Sequence, residues 1–250
     1  YTPQNAAVVI VGDVDPLQVK AWADELYGKI PNKTALPPRK PRLEPAQRGL
    51  RRMVFKAVAE QPVVAMAFKI PSFADAKLAL SDQSPIAQDI YALVMLGEVL
   101  DGYPSARLAR ALTQGKNRVA DSVAAGAGLL GRGPETFVLQ GIPAAGKTPA
   151  QLEAALRGQI EAIAQKGVSA AELQRVKNQY AAGEIYKLDS LMGQAQEIGS
   201  TWALSLPANS TDILLERLNQ VTAAQVQSVA QRYFGDDALT VATLLPQKSK

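Results

Sequence analysis

A chain of 250 residues with an apolar share of 47% is long enough to bury a sizeable core, as one large domain or as a domain with part of another. It contains neither cysteine nor histidine, which excludes disulfides, thiolate or imidazole metal ligands, and Ser–His or Cys–His nucleophiles. With 27 basic and 23 acidic side chains the net charge is +4, and no apolar run approaches the roughly 20 residues of a membrane-spanning helix.

The chain opens on Tyr1 without a leader-like segment, so it reads as a fragment whose targeting information lies elsewhere. Residues 5–12 (NAAVVIVG) form a continuous Val-rich run, the pattern of a buried strand. Asp15 then caps a helix entered through Pro16, with Val14 stapling onto Val19 and Gly28 just past the end. Residues 31–49 carry five prolines and no periodicity, and are read as an interdomain linker. The expected organisation is therefore the last strand and helix of a preceding unit in residues 1–30, a Pro-rich basic linker in 31–50, a domain in 51–246 and a tail in 247–250.

Residues 53–59 and 63–70 read as strands; the second (VVAMAFKI) is apolar on both faces up to Lys69 and should be central. After a loop over 72–85, a long helix presents Ile86, Ile90, Val94, Gly97 and Leu100 on one face. Asp101-Gly102 ends it, and Pro104 leads into a shorter helix at Ser105-Ala106-Arg107-Leu108. Residues 118–130 and 136–144 then form a hairpin through Gly131, Gly133 and Pro134. The remainder is helical. Capping boxes at Thr148–Gln151, Ser169–Glu172 and Thr222–Gln225 start helices, further helices are expected over 192–204 and 212–218, and a last strand covers 238–245. Trp22 and Trp202 lie in helical apolar patterns and are expected in the core. The start of the chain (Tyr1, Asn5, AVVIVGD) parallels its end (Tyr233, Asp237, LTVATLLP), as though one unit finished where another of its kind begins.

Few residues could carry chemistry. Arg39, Lys40, Arg42, Arg48, Arg51 and Arg52 crowd one stretch in which Glu44 is the only acid. No aromatic is interleaved, so a solvated linker accounts for them and no nucleic-acid partner is expected. Asp and Asn show no EF-hand spacing, the serines have no base partner, and the pairs Asp236-Asp237 and Asp24-Glu25 read as solvated element ends. Gly141 to Thr148 (GIPAAGKT) fits GxxxxGK[ST] between a strand and a helix, so Gly146, Lys147 and Thr148 are candidates for a nucleotide phosphate. Two details oppose it. Pro149 removes one N–H from the turn, and the strand belongs to a hairpin rather than to a crossover unit.

Three separated motifs carry a resemblance to a known family. Tyr1-x-x-x-Asn5 leading to Gly12-Asp13-Val14 resembles the end of one half of a pitrilysin/insulinase-like zinc peptidase, the group that includes mitochondrial processing peptidase. Residues 96–108, with Ser105-Ala106-Arg107-Leu108, resemble the helix and SSRL-type turn of the second half, and Gly167 to Leu173 (GVSAAEL) is similar to that half's GVTxxEL helix start. The resemblance implies an α+β fold: a two-layer half-domain with a mainly antiparallel sheet backed by helices. It would pair with a homologous half of the same parent chain, or with a homologous partner subunit, to enclose a peptide substrate. In the family, zinc is held by an HxxEH motif and a downstream Glu in the first half, so no cofactor is expected in this chain and zinc is expected in the missing half or a partner.

Second halves that support catalysis present an Arg followed by a Tyr that position the substrate backbone. Here Thr113 falls near the Arg position and Asp121 at the Tyr position, with Arg110 or Arg118 as substitutes. The resemblance thus implies a non-catalytic half of a zinc metalloendopeptidase, with a nucleotide-binding domain and an inactive assembly scaffold as the alternatives. The compartment stays open; the family's distribution suggests a bacterial parent and the periplasm.

Overall fold

The structure, a computed structural model, describes residues 2–32, 35–36, 45–131 and 133–247. Tyr1, the linker residues Pro37, Pro38, Arg39, Lys40, Pro41, Arg42 and Glu44, and the tail over 248–250 lie outside the described residues. Five strands form one sheet: β1 (Arg51–Val58), β2 (Val63–Ile70), β3 (Ala120–Gly126), β4 (Glu135–Pro143) and β5 (Leu239–Gln247), in the order β1-β5-β2-β4-β3. β1 runs parallel to β5, and every other pair is antiparallel. β2 is central, as its apolar run implies.

Register gives the sheet one buried face. Val64 lies opposite Gly141 and Thr243, Met66 opposite Leu139 and Val241, and Phe68 opposite Phe137 and Leu239. Val64, Met66, Phe68, Phe137, Leu139, Leu239 and Val241 are all buried, because a strand's odd and even positions point to opposite sides. Helices α3 (Pro85–Asp101), α4 (Pro149–Lys166) and α8 (Ala223–Arg232) cover this face and pack on one another. α5 (Ala170–Lys187) and α7 (Ser210–Gln220) pack behind α3, and Phe234 sits 4.9 Å from both Phe68 and Phe137. The short helix α2 (Leu78–Ser81) lies in the loop before α3 and is anchored by the Tyr91 hydroxyl donating to the Ala79 carbonyl.

Helix ends follow from their caps. Asp15 accepts from the Leu17 and Gln18 amides to start α1 (Pro16–Leu26), and Thr148 and Thr222 form reciprocal boxes with Gln151 and Gln225. Gly167, at φ 69°, closes α4 in a conformation that favours glycine. Ser169 caps α5 by accepting from the Glu172 amide, but the Glu172 carboxylate does not return to close a box.

Four expectations change. Residues 6–11 have no ladder partner and are exposed for the most part: a Val-rich run becomes a strand only where it pairs with a sheet edge, and these residues pair with neither edge of this sheet. The long helix is not one-faced. α3 is buried from Asp89 to Gly97 and at Val99 and Leu100, whereas Ile86 at its start is 59% exposed, because the helix passes between the sheet and the α5/α7 layer. The helix expected at Ser105-Ala106-Arg107-Leu108 is helical only from Arg107, and it continues as a π-helix over Ala109–Thr113. Finally, Trp22 and Trp202 are 55% and 53% exposed, since α1 and α6 (Leu191–Ala203) bury none of their residues.

Candidate functional site

One end of the sheet gathers the residues that the sequence nominates. Here β4 exits, β3 begins, the β1–β2 loop turns, and the π-helix feeds in through the Val119 amide donating to the Leu112 carbonyl at 2.9 Å. Ala144 N–H donates to the Val119 carbonyl at 2.9 Å and ties the exit of β4 to the start of β3. Between Ala120, opposite Pro143, and Ser122, opposite Ile142, the ladder shifts register, so Asp121 is the extra residue of a β-bulge. Bulges re-aim a side chain, and this one presents the Asp121 carboxylate at the rim. Arg118 donates to Asp121 Oδ1 from Nε at 3.1 Å and from Nη2 at 2.9 Å, and Gln61 Nε2 donates to Oδ2 at 3.4 Å.

Arg118 and Asp121 are therefore brought together as an exposed ion pair. The other two candidates are not part of it. Thr113 spends its hydroxyl on the Ala109 carbonyl, one turn back along the π-helix, at 2.8 Å. Arg110 forms no ion pair among the described residues, and its charge acts on Glu172 instead. Sequence spacing gave no warning of Gln61: it meets Asp121 only because β2 and β3 both pair antiparallel with β4, which puts the starts of those two strands at one end of the sheet.

The region behind this rim holds a second pair. Arg107 donates from Nε to Glu172 Oε1 at 2.7 Å and from Nη2 to Oε2 at 2.6 Å, and also reaches the Gly167 carbonyl at 3.3 Å. The guanidinium holds the Glu172 carboxyl below the ordinary value, against the opposing effect of burial. Glu172 is thereby withdrawn from the capping box that its spacing suggests.

The GxxxxGK[ST] match is not a phosphate cradle. Gly141 lies inside β4, paired with Val64 and Val123, where a Cβ would meet the Ser122 carbonyl oxygen at 2.7 Å. Gly146, at φ 77°, and Lys147 make a tight turn closed by Lys147 N–H donating to the Ala144 carbonyl. Thr148 N–H donates to Gln151 Oε1 and Thr148 Oγ1 accepts from Gln151 N–H, so this helix start is satisfied by its own side chains. The sheet around it is mostly antiparallel. The nucleotide reading of Gly146, Lys147 and Thr148 is withdrawn on these grounds.

Among the described residues no group of three or more His, Cys, Asp or Glu side chains could hold a metal ion, and no described helix is long and apolar enough to cross a membrane.

The helices that cover the sheet lie on one face. The other face carries Ala65, Ala67, Thr136, Val138, Gln140, Ile142, Thr240 and Ala242, all half-buried or exposed, and no helix packs on it among the described residues. It is a broad surface that mixes small and polar side chains with the apolar Val138 and Ile142.

Residues 1–180 match the family model of the peptidase M16 inactive domain. The structure is similar to a protease from Helicobacter pylori (TM-score 0.76, 22% identity, over 94% of this chain and 54% of that one). It is also similar to a peptidase M16 inactive domain from Pseudomonas fluorescens (TM-score 0.68, 16% identity, over 96% and 53%) and to the periplasmic protease PqqL from Escherichia coli (TM-score 0.67, 16% identity, over 94% and 26%). The chain spans about half the length of the first two, and at these identities the likeness speaks for the fold. No curated protein matches it.

Proposed function

The chain belongs to the inactive domain of the peptidase M16 family, and on that premise we propose that it is the non-catalytic half of a zinc metalloendopeptidase, one wall of a chamber closed by a zinc-bearing half. The observation that carries this reading is the sheet face on which no helix packs among the described residues. A sheet with both sides covered would be a sealed core; an open face that mixes polar with apolar side chains can be turned toward a substrate. Zinc belongs to the other half, since this chain has no histidine to supply an HxxEH motif. Peptide contacts are assigned to the exposed Arg118–Asp121 rim, with Arg110 and Thr113 beside it on the π-helix.

Residues 1–30 are assigned to the preceding half, as its last strand and helix, with 31–50 as linker and 51–246 as the domain. The apolar side chains of Val8, Ile10, Leu17, Trp22 and Leu26, all at least half exposed, support this, because such surface is normally covered. The test is reconstitution. The chain alone should take up no stoichiometric zinc and cleave no peptide, and adding it to a zinc-bearing half should raise peptide cleavage. Failure of the two to associate, or cleavage by the zinc half that is unchanged by this chain, overturns the reading.

A further inference from the structure

We propose that the free edge of β1 is a docking site for an extended peptide carrying carboxylates, bound as an added strand. This does not depend on pairing with a zinc half.

The sheet has two edges, and they are finished differently. At β3 the bulge at Asp121 interrupts the edge, α3 packs along the strand, and Asp101 Oδ2 accepts the Ala125 N–H at 3.1 Å. That edge is blunted. β1 has none of these devices: eight residues without proline or bulge, paired with β5 on one side and unpaired on the other among the described residues. Among the described residues, those entering β1 do not cover the free side. Gln47 Nε2 donates to the Leu239 carbonyl and Lys69 Nζ to the Pro45 carbonyl, so residues 45–49 arrive from the β5/β2 side. Eight residues present an edge about 26 Å long.

Side chains define what fits. Arg52 is bound by Glu153 of α4 at 2.7 and 2.8 Å, which places the even positions of β1 on the helix side and Arg51, Met53 and Phe55 on the open side. Every residue of the strand is exposed, including Val54, Phe55 and Val58 at 63%, 54% and 71%. The strand has three cations and no acid. Glu153 neutralises Arg52, whereas Arg51 and Lys56 have no partner among the described residues. These two cations lie five positions apart and so face opposite sides of the sheet. A second copy of β1 would bring cations only and is disfavoured. A strand with apolar residues flanking two carboxylates five apart satisfies the backbone edge, the apolar side chains and both charges together.

The probe is a fluorescent ten-residue Thr/Val peptide with two glutamates five residues apart, titrated against the chain by anisotropy. It should bind saturably. Arg51→Glu/Lys56→Glu, which alters only exposed positions, should weaken binding about tenfold or more. Replacing the glutamates by lysines should do the same. N-methylation of alternate peptide amides along one edge should abolish binding, which no purely electrostatic association would show. Absence of saturable binding, or equal binding of the N-methylated peptide, overturns the proposal. So does a concentration-dependent dimer that the peptide fails to displace, since that would assign the edge to a second copy.

Discussion

Arg107 and Glu172 join two sequence motifs separated by 65 residues through a paired hydrogen bond of 2.7 and 2.6 Å. Glu172 is 9% exposed, so its charge depends on this fork. Losing one member of such a pair strands the other in a poorly hydrated site. Arg107→Ala is expected to destabilise the chain by about 3 kcal/mol, read from the urea unfolding midpoint. Arg107→Lys should recover little, because an ammonium cannot span both oxygens. The double variant Arg107→Met/Glu172→Leu should be less harmful than either single loss. Equal stability of Arg107→Lys and the parent chain would show that the paired geometry is immaterial.

The pH dependence of stability should separate two classes of carboxylate. Glu172 and Glu153 are held below the ordinary value of 4.5, chiefly by hydrogen bonds from Arg107 and Arg52. Their stabilisation is complete above that value and is lost as pH falls through their lowered folded values. Glu98 is raised above 4.5 mainly by burial, with Asp101 and Glu184 adding to the effect. Its cost is absent below 4.5 and complete only above its raised folded value. Glu172→Gln should therefore destabilise at pH 7, with the loss shrinking at low pH. Glu98→Gln should stabilise at pH 7 and confer nothing at low pH. Parallel stability curves for parent and variants would contradict both assignments.

The segment from Gly141 to Thr148 offers a sharp contrast between a phosphate loop and a strand with a helix cap. Thr148→Ala should cost about 1 kcal/mol through the lost cap. Gly141→Ala should cost about 1–3 kcal/mol, since the new Cβ would sit 2.7 Å from the Ser122 carbonyl oxygen. Lys147→Ala should be nearly neutral, and Mg-ATP should leave the melting temperature of the parent chain unchanged. A rise in melting temperature with Mg-ATP that Lys147→Ala removes would restore the nucleotide reading.

Trp22 and Trp202 report on the two exposed helical faces. Both should emit at long wavelength and be readily quenched by acrylamide in the isolated chain, at 55% and 53% exposure. Covering α1 by a preceding half should shift Trp22 emission to the blue, as seen by comparing Trp202→Phe before and after mixing. Blue, protected emission in the isolated chain would mean that α1 already has a partner.

The sequence alone determined what is local or compositional. Capping residues such as Asp15, Thr148, Ser169 and Thr222 set the helix starts, since each cap bonds an amide two or three residues away. The apolar run of β2 announced a central strand, and the absence of His and Cys excluded an imidazole–thiolate metal centre. Tertiary structure decided what depends on distant partners. Asp121 is turned to the rim by a bulge that exists only relative to β4, Glu172 leaves its own helix cap for Arg107, and Ile86, Trp22 and Trp202 are exposed because no element among the described residues covers them. Periodicity specifies which side of a helix is apolar; whether that side is buried depends on what else packs there.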